Sequence, residues 1–305
     1  MNTTPNVVPE AQAPVPAALP AGRALYWCFR RELWEYRSIY LAPLSITGAV
    51  LLGFVFVLAR LPHAMRDAMA MDLMHQREAI SQPYDVAAGL IMGAAFIVSI
   101  FYSLDALYGE RRDRSILFWK SLPVSDLTVV LAKVSVPLLV LPVVAFVITL
   151  ITLAVMVLLS SMVLVANGLS VGTYWTLLQP FQSLFGLLYH LVTVHILWYA
   201  PLYAWLLLIS AWARRAPFLW VVLPPLAVGI FEKVAFRSMH FLNFLGERVS
   251  GGSEAVGRMQ GNAVDPGMNM TPSPFLATPG LWIGLACAAL FLYLAARLRR
   301  YRGPI

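Results

Sequence analysis

The chain has 305 residues, of which 60% are hydrophobic and only 12% charged, and its formal net charge is +7. A soluble domain usually carries about 25% charged residues, so this composition excludes an ordinary soluble enzyme and indicates an integral membrane protein. Between Lys133 and Arg214 there is no Asp, Glu, Lys or Arg, and each such residue at a bilayer centre would cost roughly 2.5–3.5 kcal/mol.

The N-terminal segment has two parts. Residues 1–21 hold five prolines, one acid and no base, which predicts a disordered cytoplasmic tail rather than a signal peptide. Residues 22–38 predict an amphipathic helix, with Trp27 and Trp34 among the arginines opposite its apolar stripe. This pattern is typical of a helix in the membrane interface, and it also fits a helix docked on a cytoplasmic partner.

Six apolar runs predict six transmembrane helices, because about 20 apolar residues suffice for one crossing. The predicted spans are 40–59, 86–107, 131–159, 184–212, 218–236 and 275–296. The sequence thus predicts an all-α integral membrane protein with a transmembrane domain over residues 39–296. Polar loops cover 62–85 and 237–274, and an uncharged loop covers 160–183. The Pro224-Pro225 pair makes the fifth span the least regular.

The Lys and Arg residues predict the orientation. Fifteen of the 22 lie in the N-terminal helix, in segment 108–133, at Arg214-Arg215 and in the basic tail 297–305. Residues 60–85 and 232–274 hold the other seven together with eight acids. By the positive-inside rule both termini should be cytoplasmic, in a multi-pass protein of the bacterial inner membrane. Basic residues at the ends of apolar runs indicate orientation and not nucleic-acid binding.

The lysines exclude one mode of ATP binding. A P-loop needs a Gly-Lys pair, because its backbone cradles phosphates while the lysine reaches the outer ones. The only lysines are Lys120, Lys133 and Lys233, and none follows a glycine. We therefore predict no catalytic residue, cofactor site or metal site in this chain. An ATP-driven transport reaction would need a separate ATPase.

The segment Tyr108–Lys133, YGERRDRSILFWKSLPVSDLTVVLAK, carries a dense charged head followed by an apolar turn over residues 116–122. Pro123 ends that turn, and Ser125 or Asp126 can cap the helix that continues into the third span. The pattern predicts a short amphipathic helix between the second and third spans, on the cytoplasmic side. From the residues alone, an interfacial helix covering the rim of the bundle fits equally well.

A charged cluster, an apolar turn, SLPVSD and a lysine entering the next span together resemble the type-2 ABC exporter permease family. The interfacial helix, the RELWEYRSIYLAPL segment leading into the first span and the six-span layout extend the resemblance over essentially the whole chain. The resemblance implies that the loop between the second and third spans is a cytoplasmic coupling helix. Such a helix docks into a cleft on the nucleotide-binding subunit and transmits closure of the ATPase dimer to the spans.

The resemblance also implies partners and contact residues. An ABC ATPase subunit would bind ATP and Mg, and a second permease subunit, identical or related, would complete the transporter in the membrane lipid. Residues 232–274 would supply short re-entrant helices, although the glycine-rich stretch 251–267 departs from that pattern. Lipid-linked glycans, peptides, drugs and small hydrophobic compounds all remain open as substrates. The ATPase contacts carried over by position are Glu110, Arg111, Arg112, Asp113, Arg114, Phe118, Trp119 and Pro123.

Four ionisable residues near or within the spans need separate interpretation. His190 and His195 lie about 140° apart on an α-helix, so we expect two packed histidines that do not converge. Asp105 and Glu232 are expected near the membrane edges rather than in a proton path.

The first outer loop contains two histidines and four methionines between residues 63 and 75. Soft thioethers and imidazoles suit cuprous copper. Methionine also fills the faces of amphipathic helices, and this is the interpretation we favour.

Two other functions were compared with ABC export. An ion-coupled secondary transporter needs a converging set of intramembrane ionisable groups, and usually internal repeats. A membrane enzyme needs a nucleophile beside a base, yet no base stands at a suitable spacing from Ser135 or Ser210. A scaffold without transport activity belongs to the same alternative. The resemblance to the type-2 ABC exporter permeases therefore favours an ABC exporter permease over these alternatives.

Overall fold

Six stretches are long and apolar enough to cross a membrane, as predicted, but the fourth is Val171–Trp198 and not 184–212. The predicted uncharged loop at 160–183 is largely helical. The structure is a computed structural model that describes residues 21–121, 124–249 and 273–304. These residues form helices and connecting turns without any β-strand, which confirms an all-α, multi-pass membrane protein. The stretches long and apolar enough to cross a membrane, called spans 1 to 6, are Ser38–Ala68, Leu73–Arg112, Asp126–Ala166, Val171–Trp198, Pro217–Phe236 and Pro279–Tyr301.

Some spans are built from more than one helix. The helices in chain order are α1 (Ala21–Glu35), α2 (Ser38–Ala68), α3 (Leu73–Asp105), α4 (Tyr108–Arg112), α5 (Ile116–Ser121), α6 (Asp126–Ser135), α7 (Leu141–Ala166), α8 (Val171–Leu178), α9 (Pro180–His190), α10 (Ala200–Trp212), α11 (Pro217–Phe236), α12 (His240–Val249), α13 (Ser273–Leu276) and α14 (Pro279–Tyr301). Two π-helical segments, Val136–Val140 and Leu191–Trp198, connect α6 to α7 and α9 to α10. Three predicted features lie outside the described residues: the N-terminal tail 1–21 apart from Ala21, Pro123 and the glycine-rich stretch 251–267.

The predicted polar loop at 62–85 is helical. Helix α2 continues to Ala68 and α3 begins at Leu73, so only residues 69–72 connect the first two spans. At 1.5 Å per residue these helices are roughly 45–50 Å long, against a hydrocarbon thickness of about 30 Å. The two helices therefore project beyond the bilayer, because charged residues end an insertable run without ending a helix.

The bundle has two distinct polar ends. At one end, which we call the outer end, the Tyr84 hydroxyl contacts Ser160 and Tyr174 and joins spans 2, 3 and 4. At the other, which we call the charged end, Ser125 caps α6 by accepting a hydrogen bond from the Thr128 amide at 3.1 Å. The prediction of a cap at Ser125 or Asp126 is thus confirmed at Ser125.

Span 5 is the least buried span, and the chain folds back after it. The Glu232 carboxylate accepts hydrogen bonds from Ser238 and from the amides of His240 and Phe241, at 2.7–2.9 Å. These bonds cap α12 and turn it back along α11. A Cβ at Gly229 would overlap the Leu242 side chain, so glycine is what lets the two helices approach. The 232–274 region therefore does contain a short helix that folds back on span 5.

Candidate functional site: the charged end of the bundle

Helix α4 forms the end of span 2, and α5 lies between spans 2 and 3. Helix α1 packs on α6, and α14 packs on both α6 and α10. The Lys120 ammonium on α5 donates hydrogen bonds to the carbonyls of Arg300 and Arg302. The segment between spans 2 and 3 therefore shares one end of the molecule with α1 and with the C-terminal end of α14.

A buried ion network centres on Lys133 of α6. Its Nζ lies 2.8 Å from Glu32 Oε1 of α1 and 3.2 Å from Glu110 Oε1 of α4. All three side chains are at most 5% exposed. Two elements that are far apart in sequence are thus held together on one ammonium group.

Further side chains complete this network. Arg299 of α14 pairs with Glu110 at 3.3 Å and with Asp126. Arg31 of α1 lies 3.6 Å from Glu110. The Tyr102 hydroxyl of span 2 donates to Glu32 at 2.7 Å. The four buried side chains of the network, Glu32, Glu110, Lys133 and Arg299, are two acids and two bases, so their formal charge is zero. Arg31 is partly exposed and also pairs with Glu35 at 2.8 Å.

Charge balance is what makes such burial tolerable. Desolvating an ion costs several kcal/mol, and only close partners offset that cost. Removing one partner from a buried pair typically destabilises by about 3–5 kcal/mol, because it leaves an uncompensated charge. The network therefore fixes the relative positions of α1, α4, α6 and α14.

Backbone contacts anchor the same end to α10. Arg111 Nη1 donates to the carbonyls of Ala211 at 2.7 Å and Ala213 at 3.0 Å. Ser210 Oγ accepts from the amides of Leu107 and Tyr108 and donates to the Leu104 carbonyl. Ser210 thus satisfies backbone groups where α3 ends, which is a structural role and not that of a nucleophile.

The predicted contact residues divide into two groups. Glu110 and Arg111 are 5% and 4% exposed, and their partners lie within the chain. Arg112, Asp113, Arg114 and Phe118 are exposed. Trp119 is half-buried beneath the Arg31 guanidinium, 3.7 Å from its ring centre. Pro123 lies outside the described residues. Sequence reasoning placed the whole charged head on the surface, whereas the fold leaves only its middle and its tip there.

The tip of this segment is a tight turn between α4 and α5. Arg114 has a φ of 58°, a left-handed conformation that side-chain-bearing residues seldom adopt. Arg112 donates a hydrogen bond to Asp113 at 3.0 Å, and this bond holds the pKa of the Asp113 carboxyl below its ordinary value. We call the segment Arg112 to Lys120 the α4–α5 tip; its side chains are exposed except for buried Ile116 and half-buried Ser115 and Trp119.

Helix α1 presents two different faces. Glu32 and Leu33 face the bundle, as does Tyr36 just after the helix. Trp27 and Trp34 are 55% and 69% exposed, and the Arg30 guanidinium lies between them. Burial raises the pKa of the Cys28 thiol on the same helix, and nearby Glu32 adds to this effect. The apolar stripe predicted for α1 thus packs partly on its own chain.

The expectation that His190 and His195 do not converge is wrong. Their ring centres lie 5.5 Å apart. The cause is the π-helical segment Leu191–Trp198, whose i→i+5 hydrogen bonds bring residues five apart onto one side. Phe96 and Tyr199 pack beside His195.

The other candidates have local roles. Asp105 accepts a hydrogen bond from Tyr36 and pairs with Arg112 at 3.8 Å, at the base of span 2. Met65 is buried in the outer hydrophobic cluster, and His75 pairs with Asp72. Among the described residues no group of three or more His, Cys, Asp or Glu could hold a metal ion.

Sequence reasoning missed the partnership of Glu32 and Lys133, although part of the signal was present. Glu32 stands three residues after Phe29 and four before Tyr36, on the apolar side of α1. A carboxylate on an apolar stripe needs a cation nearby, but helical spacing does not indicate which one.

Comparison with known proteins identifies no relative. No family model matches the chain, and no curated protein or solved structure matches it. The functional argument therefore depends on sequence pattern and geometry.

Proposed function

We propose that this chain is the transmembrane permease subunit of an ATP-driven ABC exporter, with the α4–α5 tip as the coupling element. A separate nucleotide-binding subunit binds ATP and Mg and docks against this tip from the cytoplasm. The chain itself carries no catalytic site in this proposal. It conducts the substrate across the inner membrane together with a second permease subunit.

One observation carries the proposal: an exposed, basic tip stands directly on a buried ion network that reaches four elements. Arg112, Arg114 and Phe118 offer charge and an apolar contact to a partner. Glu110, only two residues before Arg112, is paired with Lys133 and Arg299 below. In this proposal, movement of the tip reaches spans 2, 3 and 6 through Glu110, Lys133 and Arg299.

Span 5 supports pairing with a second permease. Its apolar side chains, such as Leu223, Phe231 and Val234, are largely uncovered within the chain. A second copy or a related permease would bury part of this face. The 5.5 Å histidine pair supports the second candidate, an ion-coupled secondary transporter, and gradient-driven substrate uptake by the purified chain without an ATPase would favour it.

The proposal is tested by charge reversal at the tip. We expect R112E/R114E to abolish co-purification of a polypeptide that hydrolyses Mg-ATP and is photolabelled by azido-ATP. The matched control is R60E/R66E, which reverses two exposed arginines in α2 at the outer end. Retention of the ATPase by R112E/R114E, or its equal loss from both variants, would contradict the assigned contact.

A further inference from the structure

A second basic feature lies beside the α4–α5 tip and takes no part in the ion network. A cavity of about 490 Å³ opens between α4, the turn after α10 and the residues that follow α14. Its lining residues are Arg111, Arg214, Tyr301, Arg302, Gly303 and Pro304. It is thus built from three separate parts of the chain.

Three guanidinium groups meet at this cavity, and no carboxylate of a described residue lines it. Like charges repel one another, so an anion bound among these three side chains would be stabilised by their positive charge. The cavity thus differs from the neighbouring ion network, whose four buried side chains are two acids and two bases.

Arg111 is the fixed part of this arrangement. Its side chain is only 4% exposed, and its Nη1 donates hydrogen bonds to two backbone carbonyls. Its Nε has no hydrogen-bond partner. Arg302 is held by a hydrogen bond from Nη1 to the Trp212 carbonyl, while Arg214 is exposed.

We propose that this cavity binds the phosphate of an anionic phospholipid headgroup. Guanidinium groups match phosphate oxygens with paired hydrogen bonds, and basic pockets between transmembrane helices are known to hold anionic headgroups. The bound phosphate would offset part of the positive charge of the three arginines and tie the start of span 5 to the ends of spans 2 and 6.

The surroundings favour a lipid over an acidic protein side chain. Trp212 packs edge-to-face on Trp220 with ring centres 4.7 Å apart, and paired tryptophans are typical of the membrane–water boundary. Phe218 and Leu219, at the start of span 5, are exposed. They offer an apolar path for acyl chains next to the basic cavity, whereas an acidic loop of a soluble partner would gain nothing from them.

The experiment measures lipid binding to the purified full-length chain in detergent by native mass spectrometry. The probes are dioleoylphosphatidylglycerol and, as the uncharged-headgroup comparison, dioleoylphosphatidylcholine. The variant R214Q/R302Q removes two cavity charges, and R215Q/R300Q removes two exposed charges from neighbouring positions that do not line the cavity. The single variant R214Q, at an exposed position, guards against loss of folding in the double variant.

We expect phosphatidylglycerol to bind in preference to phosphatidylcholine, and R214Q/R302Q to weaken that binding by at least about tenfold. R215Q/R300Q should leave it unchanged, and R214Q should fall in between. Equal weakening by both double variants would overturn the proposal, since it would indicate diffuse surface charge.

Two further outcomes would overturn the lipid assignment. Competition by inorganic phosphate at the same concentration as the lipid would show that acyl chains add nothing. Unchanged lipid selectivity in R214Q/R302Q, combined with loss of a co-purifying ATPase that R215Q/R300Q retains, would assign the cavity to a protein contact.

Discussion

Lys133 Nζ lies between the buried carboxylates of Glu32 and Glu110. Replacing this side chain would leave two anions without their central cation. Exposed basic residues nearby, such as Lys120, make only surface contacts. The two lysines therefore allow a matched comparison.

We expect Lys133→Met to destabilise the protein by about 3–5 kcal/mol, the usual cost of breaking a buried ion pair. Lys120→Met should stay within about 0.5 kcal/mol, as is common for surface changes. The free energy of unfolding in detergent micelles measures both.

A double-mutant cycle separates pairing from simple loss of volume. The variant K133M/E32Q should recover part of the stability lost in Lys133→Met, because it removes an unpaired anion along with the cation. Strictly additive losses would contradict a direct pairing of Glu32 with Lys133.

For single residues, the sequence predicted where charged side chains cluster, but not which residues they pair with. The charge cluster from Glu110 to Arg114 was visible, but the burial of Glu110 and Arg111 was not. Their partners Lys133, Arg299 and Ala211 come from other spans. Pairing between distant helices depends on packing, which no local pattern in one sequence encodes.

Among the helices, the π-helical segment Leu191–Trp198 shows how one change of helical period alters a prediction. An α-helix separates His190 and His195, while i→i+5 bonding brings their rings within 5.5 Å. Likewise, the charges between Arg60 and Asp85 end the insertable run but leave the helices intact. Hydropathy predicts where a span is, and not where its helix stops.

The return of α12 along span 5 gives a prediction at this scale. Gly229→Ala should destabilise by about 1–3 kcal/mol, because its Cβ would overlap Leu242. Gly246→Ala, on α12, meets nothing within 4 Å and should stabilise by up to about 1 kcal/mol through helix propensity.

Thermal unfolding in detergent compares the two glycine variants, and limited proteolysis of α12 reports its detachment. Faster cleavage is expected in Gly229→Ala alone. Equal stability and equal cleavage in the two variants would show that α12 does not pack on span 5 through this contact.

For the molecule as a whole, the structure supports six membrane-crossing helices, and the basic residues predict which end faces the cytoplasm. In a chain with Cys28 and Cys287 replaced by alanine, we expect Met71→Cys to react with an impermeant maleimide in intact cells. Arg215→Cys should react only after permeabilisation, since it lies at the charged end. Reversed labelling would invert the orientation and remove the α4–α5 tip from the cytoplasm.

The number and order of the spans were predictable because a long uncharged run has one physical solution in lipid. A short helix between spans 2 and 3 was also predicted, and α5 lies there. The arrangement of the spans was not predictable, since apolar helices carry little information about their neighbours. The basic cavity shows the same limit, because Arg111, Arg214 and Arg302 meet only after folding.

The buried ion network also constrains how the chain is made. Glu32 is synthesised before its partner Lys133, which follows 101 residues later in the chain. Arg299, the partner of Glu110, follows Glu110 by 189 residues. Until the last span inserts, the carboxylates of Glu110 and Asp126 lack that cation, so the network closes only when all six spans are in place.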